Sequence, residues 1–323
     1  MSILIVGGAG YIGSQTAKTV ARAGLEPVVL DNLVYGHRWA ARWGPLIEGD
    51  ISDRALVDRV IREHRVTAVI HFAAYTYVGE SAQNPRKYYQ NNVAGTLALL
   101  DAMIDGGVRD IVFSSTAATY GNPIRVPITE DHPLAPINPY GETKLAVERT
   151  LHWYQRAYGI RYAALRYFNA AGADPDGEVG EDHDPESHLI PLAIGATLGR
   201  APALKVFGTD YPTPDGTAIR DYIHVADLAE AHLLALGRLD KGDTALQLNL
   251  GTGKGHSVRE VIASIEKVSG RQVPRTEVGR RAGDPPALVA DASRARQSLG
   301  WQPKYAELDT IVEHAFRWQE KRP

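Results

Sequence analysis

Tyr140 and Lys144 lie four residues apart in Asn138-Pro139-Tyr140-Gly141-Glu142-Thr143-Lys144. On a helix they share one face, a turn from each other. A phenol is a poor base at neutral pH, with an unperturbed pKa of about 10. A nearby ammonium stabilises the phenolate and lowers that value. The pair is therefore a candidate proton-transfer device, although the same spacing occurs on ordinary half-exposed helix faces. A hydroxyl segment adds to it: Ser114-Ser115-Thr116-Ala117-Ala118 follows the apolar run Ile111-Val112-Phe113. Thr116 is the hydroxyl expected to face a substrate, while Ser114 reads as a cap of the strand-end backbone.

The elements that must position these groups read as an alternation of strands and helices. Ile3-Leu4-Ile5-Val6 is a short apolar run of the kind buried on both faces of a sheet. It opens into Gly7-Gly8-Ala9-Gly10-Tyr11-Ile12-Gly13, followed by a helical pattern through Val20 and Ala21. Strand, glycine turn and helix in that order make a phosphate site. The glycines allow close backbone approach, and the helix N-terminus presents free N–H groups and a positive dipole end. The spacing Gly7-x-x-Gly10-x-x-Gly13 differs by one residue from the common G-x-G-x-x-G, and a lone glycine cluster is also an ordinary tight turn. The context favours the phosphate reading. A second strand, Pro27-Val28-Val29-Leu30, ends in Asp31-Asn32. An acid there accepts hydrogen bonds from ribose hydroxyls and repels a 2′-phosphate, which favours NAD over NADP.

Further strands are expected at residues 46–51, ending near Asp50, and at 67–72, leading into the small pair Ala73-Ala74. Helices are expected over 55–64, capped by Ser52 or Asp53, over 87–105, and from Pro139 to about residue 158. Arg161-Tyr162-Ala163-Ala164-Leu165 is the next strand, and Leu248-Asn249-Leu250 a later one. The glycine turn after the latter, Gly251-Thr252-Gly253, has no acid at a following strand end and is not read as a second nucleotide site. Ser257 is expected to cap a helix over 258–268. The whole predicts an α/β fold: a Rossmann-type doubly wound parallel sheet with a smaller C-terminal α/β substrate-binding region.

Composition narrows the class. The 323-residue chain is 44% apolar and 23% charged with a formal net charge of -3, a soluble globular profile with no bias toward nucleic acid or an anionic membrane. It contains no cysteine, which excludes disulfides, thiolate catalysis and Cys-based zinc sites. No apolar run approaches the roughly 20 residues of a membrane span, and the N-terminus lacks the pattern of a signal peptide. A cytoplasmic setting, with no nucleic-acid or membrane partner, is expected.

The glycine turn, the hydroxyl segment and Tyr140-x-x-x-Lys144, in this order, resemble the extended short-chain dehydrogenase/reductase family. Val78-Gly79-Glu80-Ser81, Tyr88-Tyr89-Gln90-Asn91-Asn92, Leu165-Arg166-Tyr167-Phe168-Asn169, Arg220-Asp221-Tyr222-Ile223-His224 and Arg280-Arg281-Ala282-Gly283-Asp284 narrow the likeness. Along nearly the full chain it is similar to the UDP-sugar 4-epimerases of that family. The resemblance implies an NAD site with three groups of residues. These are the turn residues Gly7, Gly10, Tyr11, Ile12 and Gly13; the strand-end residues Asp31, Asn32, Asp50, Ile51, Phe72, Ala73, Ala74 and Ser114; and Asn91, Tyr140, Lys144 and Tyr167. It implies that residues 1–170 form the NAD-binding domain and 171–323 mainly a UDP-sugar-binding domain, with segments near 220–250 returning to the first.

By the same resemblance, Tyr140 as phenolate would take the proton of the sugar 4-hydroxyl while hydride leaves C4 for NAD. Lys144 would bind the nicotinamide ribose and, with the cationic nicotinamide, depress the phenol pKa. Thr116 would hydrogen-bond the sugar oxygen. The 4-keto sugar would then turn over and take the hydride back on its other face, so NAD stays bound. Sister dehydratases and decarboxylases carry an acid just after the catalytic hydroxyl. Ala117 and Ala118 stand at those positions, so the pathway is expected to stop at the ketone and return. UDP-glucose and UDP-galactose are the leading pair. UDP-pentoses, UDP-N-acetylhexosamines, or a non-catalytic NAD-binding regulator are the alternatives. A homodimer through helices near 87–105 and 140–158 is expected.

On the substrate side the resemblance implies contacts from Thr116, Asn169, His188, Leu189, Arg220, Arg281, Asp284 and Leu288. Arg220 and Arg281 are candidate diphosphate clamps, because guanidinium forks match phosphate oxygens. Asp284 would hold the uridine ribose. Leu288 stands where certain hexose-restricted epimerases place a Tyr, and a smaller residue would admit N-acetylated sugars. Thr76 stands where some relatives carry a Lys near the NAD phosphates, and His188 where many have Asn. Glu181-Asp182-His183-Asp184 with His188 shows no regular ligand spacing, so it reads as a solvated acidic loop and no metal is expected.

Overall fold

In the computed structural model, which describes residues 1–281 and 283–321, the predicted alternation is realised. Ala282 of the arginine-rich motif lies outside the described residues. The chain runs β1 (Ser2–Val6), α1 (Tyr11–Arg22), β2 (Glu26–Asp31), β3 (Leu46–Glu48), α2 (Arg54–Glu63), β4 (Val66–His71), α3 (Val78–Gln83), α4 (Pro85–Tyr88), α5 (Thr96–Asp105), β5 (Asp110–Thr116), α6 (Pro139–Tyr158) and β6 (Arg161–Tyr167). It continues through β7 (Asn169–Ala171), α7 (Leu189–Thr197), β8 (Leu204–Phe207), β9 (Ile219–His224), α8 (Val225–Asp240), β10 (Ala245–Leu250), β11 (Gly255–Ser257), α9 (Val258–Ser269), β12 (Arg275–Val278), β13 (Ala287–Leu288), α10 (Ser293–Leu299) and α11 (Leu308–Lys321).

Seven strands form one parallel sheet in the order β10-β6-β5-β4-β1-β2-β3. The period of two along a strand sends alternate side chains to opposite faces. In β1, Ile3 and Ile5 pack on the layer of α1, α8 and α10, whereas Leu4 and Val6 pack on that of α2, α5 and α6. Strand order reverses between β1 and β4, which opens a crevice at their C-terminal ends. The second layer system centres on β9, which pairs antiparallel with β11 and parallel with β7 and β13. Helices α7, α9 and α11 bury its core around Ile194, Ile265 and Val312. No helix among the described residues is long and apolar enough to cross a membrane.

Two local outcomes differ from the sequence pattern. The helical periodicity over 87–105 is interrupted by a π-helical stretch, Tyr89–Gly95. Wider turns of this type occur where a side chain is re-aimed, and here Asn92 is turned to bracket the backbone of Tyr75, accepting from its N–H at 2.9 Å and donating to its carbonyl at 3.0 Å. Strand β5 also continues through the hydroxyl segment to Thr116. Ser114 and Thr116 therefore share one face, and Ser115 faces the other, where it donates to Glu148.

Candidate active site

The crevice at the strand ends is a cleft of about 450 Å³, lined by β1, β2, β4 and β5 termini on one side and by the second region on the other. Its floor is the glycine turn. Gly7 adopts φ +78, and a Cβ there would stand 2.6 Å from the Ala73 nitrogen. A Cβ on Gly13 would stand 2.1 Å from the Gly7 carbonyl oxygen. Gly10 begins α1 with no side-chain cap and no acid in the first turn, which leaves the N-terminal N–H groups for a ligand. Tyr11 donates its hydroxyl to the Gly172 carbonyl at 2.7 Å and so ties the turn to the second region. Ile12, Phe72, Ala73, Ala74 and Asn91 also line the cleft.

Asp31 stands at the end of β2 and is 8% exposed. Its two oxygens accept from the Ala9 and Leu33 N–H groups at 2.9 and 2.8 Å. Burial pushes its carboxyl up, opposed by these donors. Asn32 and Ile51 line the cleft beside it. Asp50 lies in the turn after β3 and outside the lining, held by Asn32 and Ser52. Tyr35, Tyr75 and Tyr77, which no sequence pattern singled out, add an aromatic wall with edge-to-face contacts at 5.8 and 5.5 Å. The Lys87 ammonium sits 4.0 Å from the Tyr75 ring centroid. The available signal was the placement of these tyrosines within a few residues of the β2 and β4 ends.

The chemical wall is built from β5 and α6. Asn138 caps α6 by accepting from the Gly141 N–H at 2.9 Å, and Pro139 begins its first turn. Gly141 allows the helix to approach β5: a Cβ there would meet the Ala118 carbonyl oxygen at 2.6 Å. Thr116, Tyr140, Lys144 and Tyr167 thereby meet in one place, with Ala117 and Ala118 alongside. The Ser114 and Tyr167 hydroxyls pair at 2.5 Å.

Tyr140 and Lys144 are each shifted chiefly by burial in this arrangement. Lys144, 2% exposed, donates to the Ser114 carbonyl at 2.7 Å and lies 4.8 Å from the Phe113 ring centroid. Burial pulls its ammonium down to about 7, against the attraction of Glu148. Burial pushes the Tyr140 phenol up to about 12, and the opposing influence comes from a hydrogen bond with Thr116. The phenol is therefore held protonated, and Thr116 is the group that favours its ionisation.

Across the cleft, Asn169, His188, Arg220, Asp284 and Leu288 all reach the lining. Arg220 pairs with Asp284 and donates to the Ile219 carbonyl at 2.7 Å. Leu189 instead begins α7 and packs toward that region's apolar core. Arg281 is exposed, outside the lining, with its guanidinium 4.4 Å from the Phe207 ring centroid. The loop read as solvated is folded inward. Glu181 is 4% exposed, and both it and His183 line the cleft. Despite burial, His188 and His183 hold the Glu181 carboxyl below the usual carboxylate range.

One wall of the cleft is the C-terminal edge of the parallel sheet, at the point where strand order reverses, which makes this a dinucleotide-binding α/β protein of the doubly wound class. Residues 3–251 match the NAD dependent epimerase/dehydratase family, and the chain belongs to that family. It is 52% identical over 323 residues to UDP-glucose 4-epimerase of Halalkalibacterium halodurans, covering 100% of this chain and 97% of the relative. Among solved structures it is similar to UDP-glucose 4-epimerase from Brucella ovis in complex with NAD, with a TM-score of 0.96, 55% identity and coverage of 98% and 97% of the two chains. The Bifidobacterium longum enzyme in complex with NAD+ and UDP matches with a TM-score of 0.94 and 38% identity over 100% of this chain and 99% of that one.

Proposed function

We propose that this chain is a UDP-glucose 4-epimerase, an isomerase that interconverts UDP-galactose and UDP-glucose through a 4-keto sugar with tightly held NAD. The observation that carries the reading is the grouping of buried Thr116 and Lys144 with half-buried Tyr140 in the cleft, beside two alanines, Ala117 and Ala118, that cannot move a proton. The residues present suit NAD: a close-packed turn in which a Cβ on Gly7 or Gly13 would strike backbone, an uncapped α1 N-terminus at Gly10, and an Asp31 carboxylate anchored by two backbone donors. Bound NAD supplies reversible two-electron oxidation of the sugar C4 carbinol and, in its oxidised form, a positive charge. The glycine turn holds the phosphates, Asp31 the adenosine ribose and Lys144 the nicotinamide ribose.

Tyr140 accepts the proton of the 4-hydroxyl and later returns it to the reduced oxygen. Thr116 donates to that phenol oxygen and orients the sugar hydroxyl. The Tyr140 pKa is too high for a base without added positive charge, so proton transfer belongs to the loaded protein. Asn169, Arg220 and Asp284 grip the nucleotide, with the Arg220–Asp284 pair opening toward phosphate and ribose. Residues 1–170 serve as the NAD-binding domain and 171–323 mainly hold the UDP-sugar, with 220–250 returning to the first. Two copies pair through the faces of 87–105 and 140–158, where Tyr89, Trp153 and Tyr158 are exposed. The setting is the cytoplasm and the pathway galactose metabolism.

Leu288 at the lining favours a second activity on N-acetylated sugars, since it leaves more room than a Tyr. The test is purified protein with UDP-galactose, UDP-xylose or UDP-N-acetylglucosamine, without added NAD, followed by chromatography. UDP-glucose should form from UDP-galactose, and UDP-N-acetylglucosamine should also be converted. Turnover confined to the pentose overturns the hexose reading, and bound NAD with no turnover of any sugar leaves a non-catalytic regulator.

A further inference from the structure

One group of ligating side chains beside the cleft has no part in the proton transfer described above. Glu181, His183, Glu186 and His188 each present one donor atom, and these atoms all lie within 4.8 Å of one another. We infer that they form a binding site for a divalent transition-metal ion of the zinc class, at the edge of the cleft where Glu181, His183 and His188 line it. The inference goes beyond the epimerase reading and stands whether or not the sugar turns over.

The geometry is converging. Glu181 Oε1 lies 3.1 Å from His183 Nδ1 and 2.7 Å from His188 Nδ1. Glu186 Oε1 lies 2.9 Å from His188 Nδ1, and its Oε2 3.9 Å from His183 Nδ1. Two imidazole nitrogens and two carboxylate oxygens suit Zn²⁺, which takes such ligands tetrahedrally at about 2.0–2.2 Å. Donor atoms already gathered this closely reach that arrangement by side-chain adjustment. Without a metal, protons on the two Nδ1 atoms hold the rings against the carboxylates; a dication replaces those protons on the same atoms.

The backbone that carries the ligands is anchored on several sides. The Glu181 carbonyl accepts from Trp318 Nε1 at 3.1 Å and Gln319 Nε2 at 2.9 Å, both on α11. Tyr77 donates to the Pro185 carbonyl, and the Tyr11 ring meets His183 edge-on at 6.3 Å. A preformed loop lowers the ordering cost of binding. The neighbouring acidic group offers a contrast: Asp174, Asp176 and Glu178 converge on the buried Lys18 ammonium at 2.6, 2.8 and 2.6 Å, so that group already holds a cation. The 181–188 group contains imidazoles in place of a lysine.

The test is calorimetric titration of Zn²⁺ alone into untagged, chelator-treated full-length protein. Parallel titrations use His183→Asn/His188→Asn and, as a control, His64→Asn at the C-terminal end of α2. The wild type and the control should each take up one equivalent saturably, and the double variant should lose that uptake. Absence of saturable uptake by the wild type, or uptake that survives in the double variant, overturns the site. X-ray absorption on zinc-loaded wild type guards against misfolding of the variant: imidazole scattering in a nitrogen/oxygen shell is expected, and a shell without imidazole contradicts the proposal.

Discussion

Lys144 directs its ammonium at the Ser114 carbonyl, and burial holds the Tyr140 phenol protonated. The same burial has a consequence for stability. The unfolded chain keeps Lys144 protonated up to its ordinary value of 10.5, whereas the folded chain releases the proton above about 7. Between those values the unfolded state binds more protons, so the cost of burying Lys144 shrinks and stability rises with pH. Below about 7 both states are charged and the full cost applies. In cofactor-free protein, urea midpoints should therefore show wild type gaining on Lys144→Met as pH is raised from about 7 to about 9. A difference that stays constant across that range contradicts the buried, proton-releasing lysine.

Two elements hold the reacting groups, and each gives a separable prediction. At the start of α1, a Cβ on Gly13 would collide with the Gly7 carbonyl, while a Cβ on Gly10 has only ordinary contact, 3.4 Å from that oxygen. Gly13→Ala should cost about 1–3 kcal/mol in urea unfolding, as overpacking does. Gly10→Ala should keep its stability yet lose co-purifying nucleotide, because its methyl stands only in the phosphate cradle. On α6, one turn after Lys144, Glu148 and Arg166 form an ion pair exposed by 2% and 1%, and Arg166 also donates to the Tyr120 hydroxyl at 3.0 Å. Glu148→Ala leaves that guanidinium buried without its partner and should cost about 3–5 kcal/mol in the same measurement. Strand-to-helix grammar of this kind was legible in the sequence. Strand β1 with its glycine turn, and Pro139 at the start of α6, are local signals that need no knowledge of the rest of the chain. The π-helical stretch at Tyr89–Gly95 was not, because it depends on Asn92 reaching the Tyr75 backbone.

At the scale of the molecule, the cleft exists because two regions are fastened across it by contacts distant in sequence. Lys18 meets Asp174, Tyr11 meets Gly172, and Tyr77 meets Pro185. Such pairings have no local signature. The acidic loop at 181–188 therefore read as solvated, although the fold buries Glu181, and Arg281 read as facing the cleft, although it lies on Phe207. What crossed from sequence to structure intact was the alternation of strands and helices around a parallel sheet, since it is fixed by local periodicity and turn residues.

The measurement closest to the central claim is UDP-galactose turnover by wild type and Tyr140→Phe, without added NAD, with bound cofactor quantified in both. The wild type should form UDP-glucose, and the variant should keep its cofactor while losing about 10²–10⁴-fold in rate, the scale of general acid–base catalysis. A Tyr140→Phe protein that epimerises at the wild-type rate would contradict the assignment of proton transfer to that phenol.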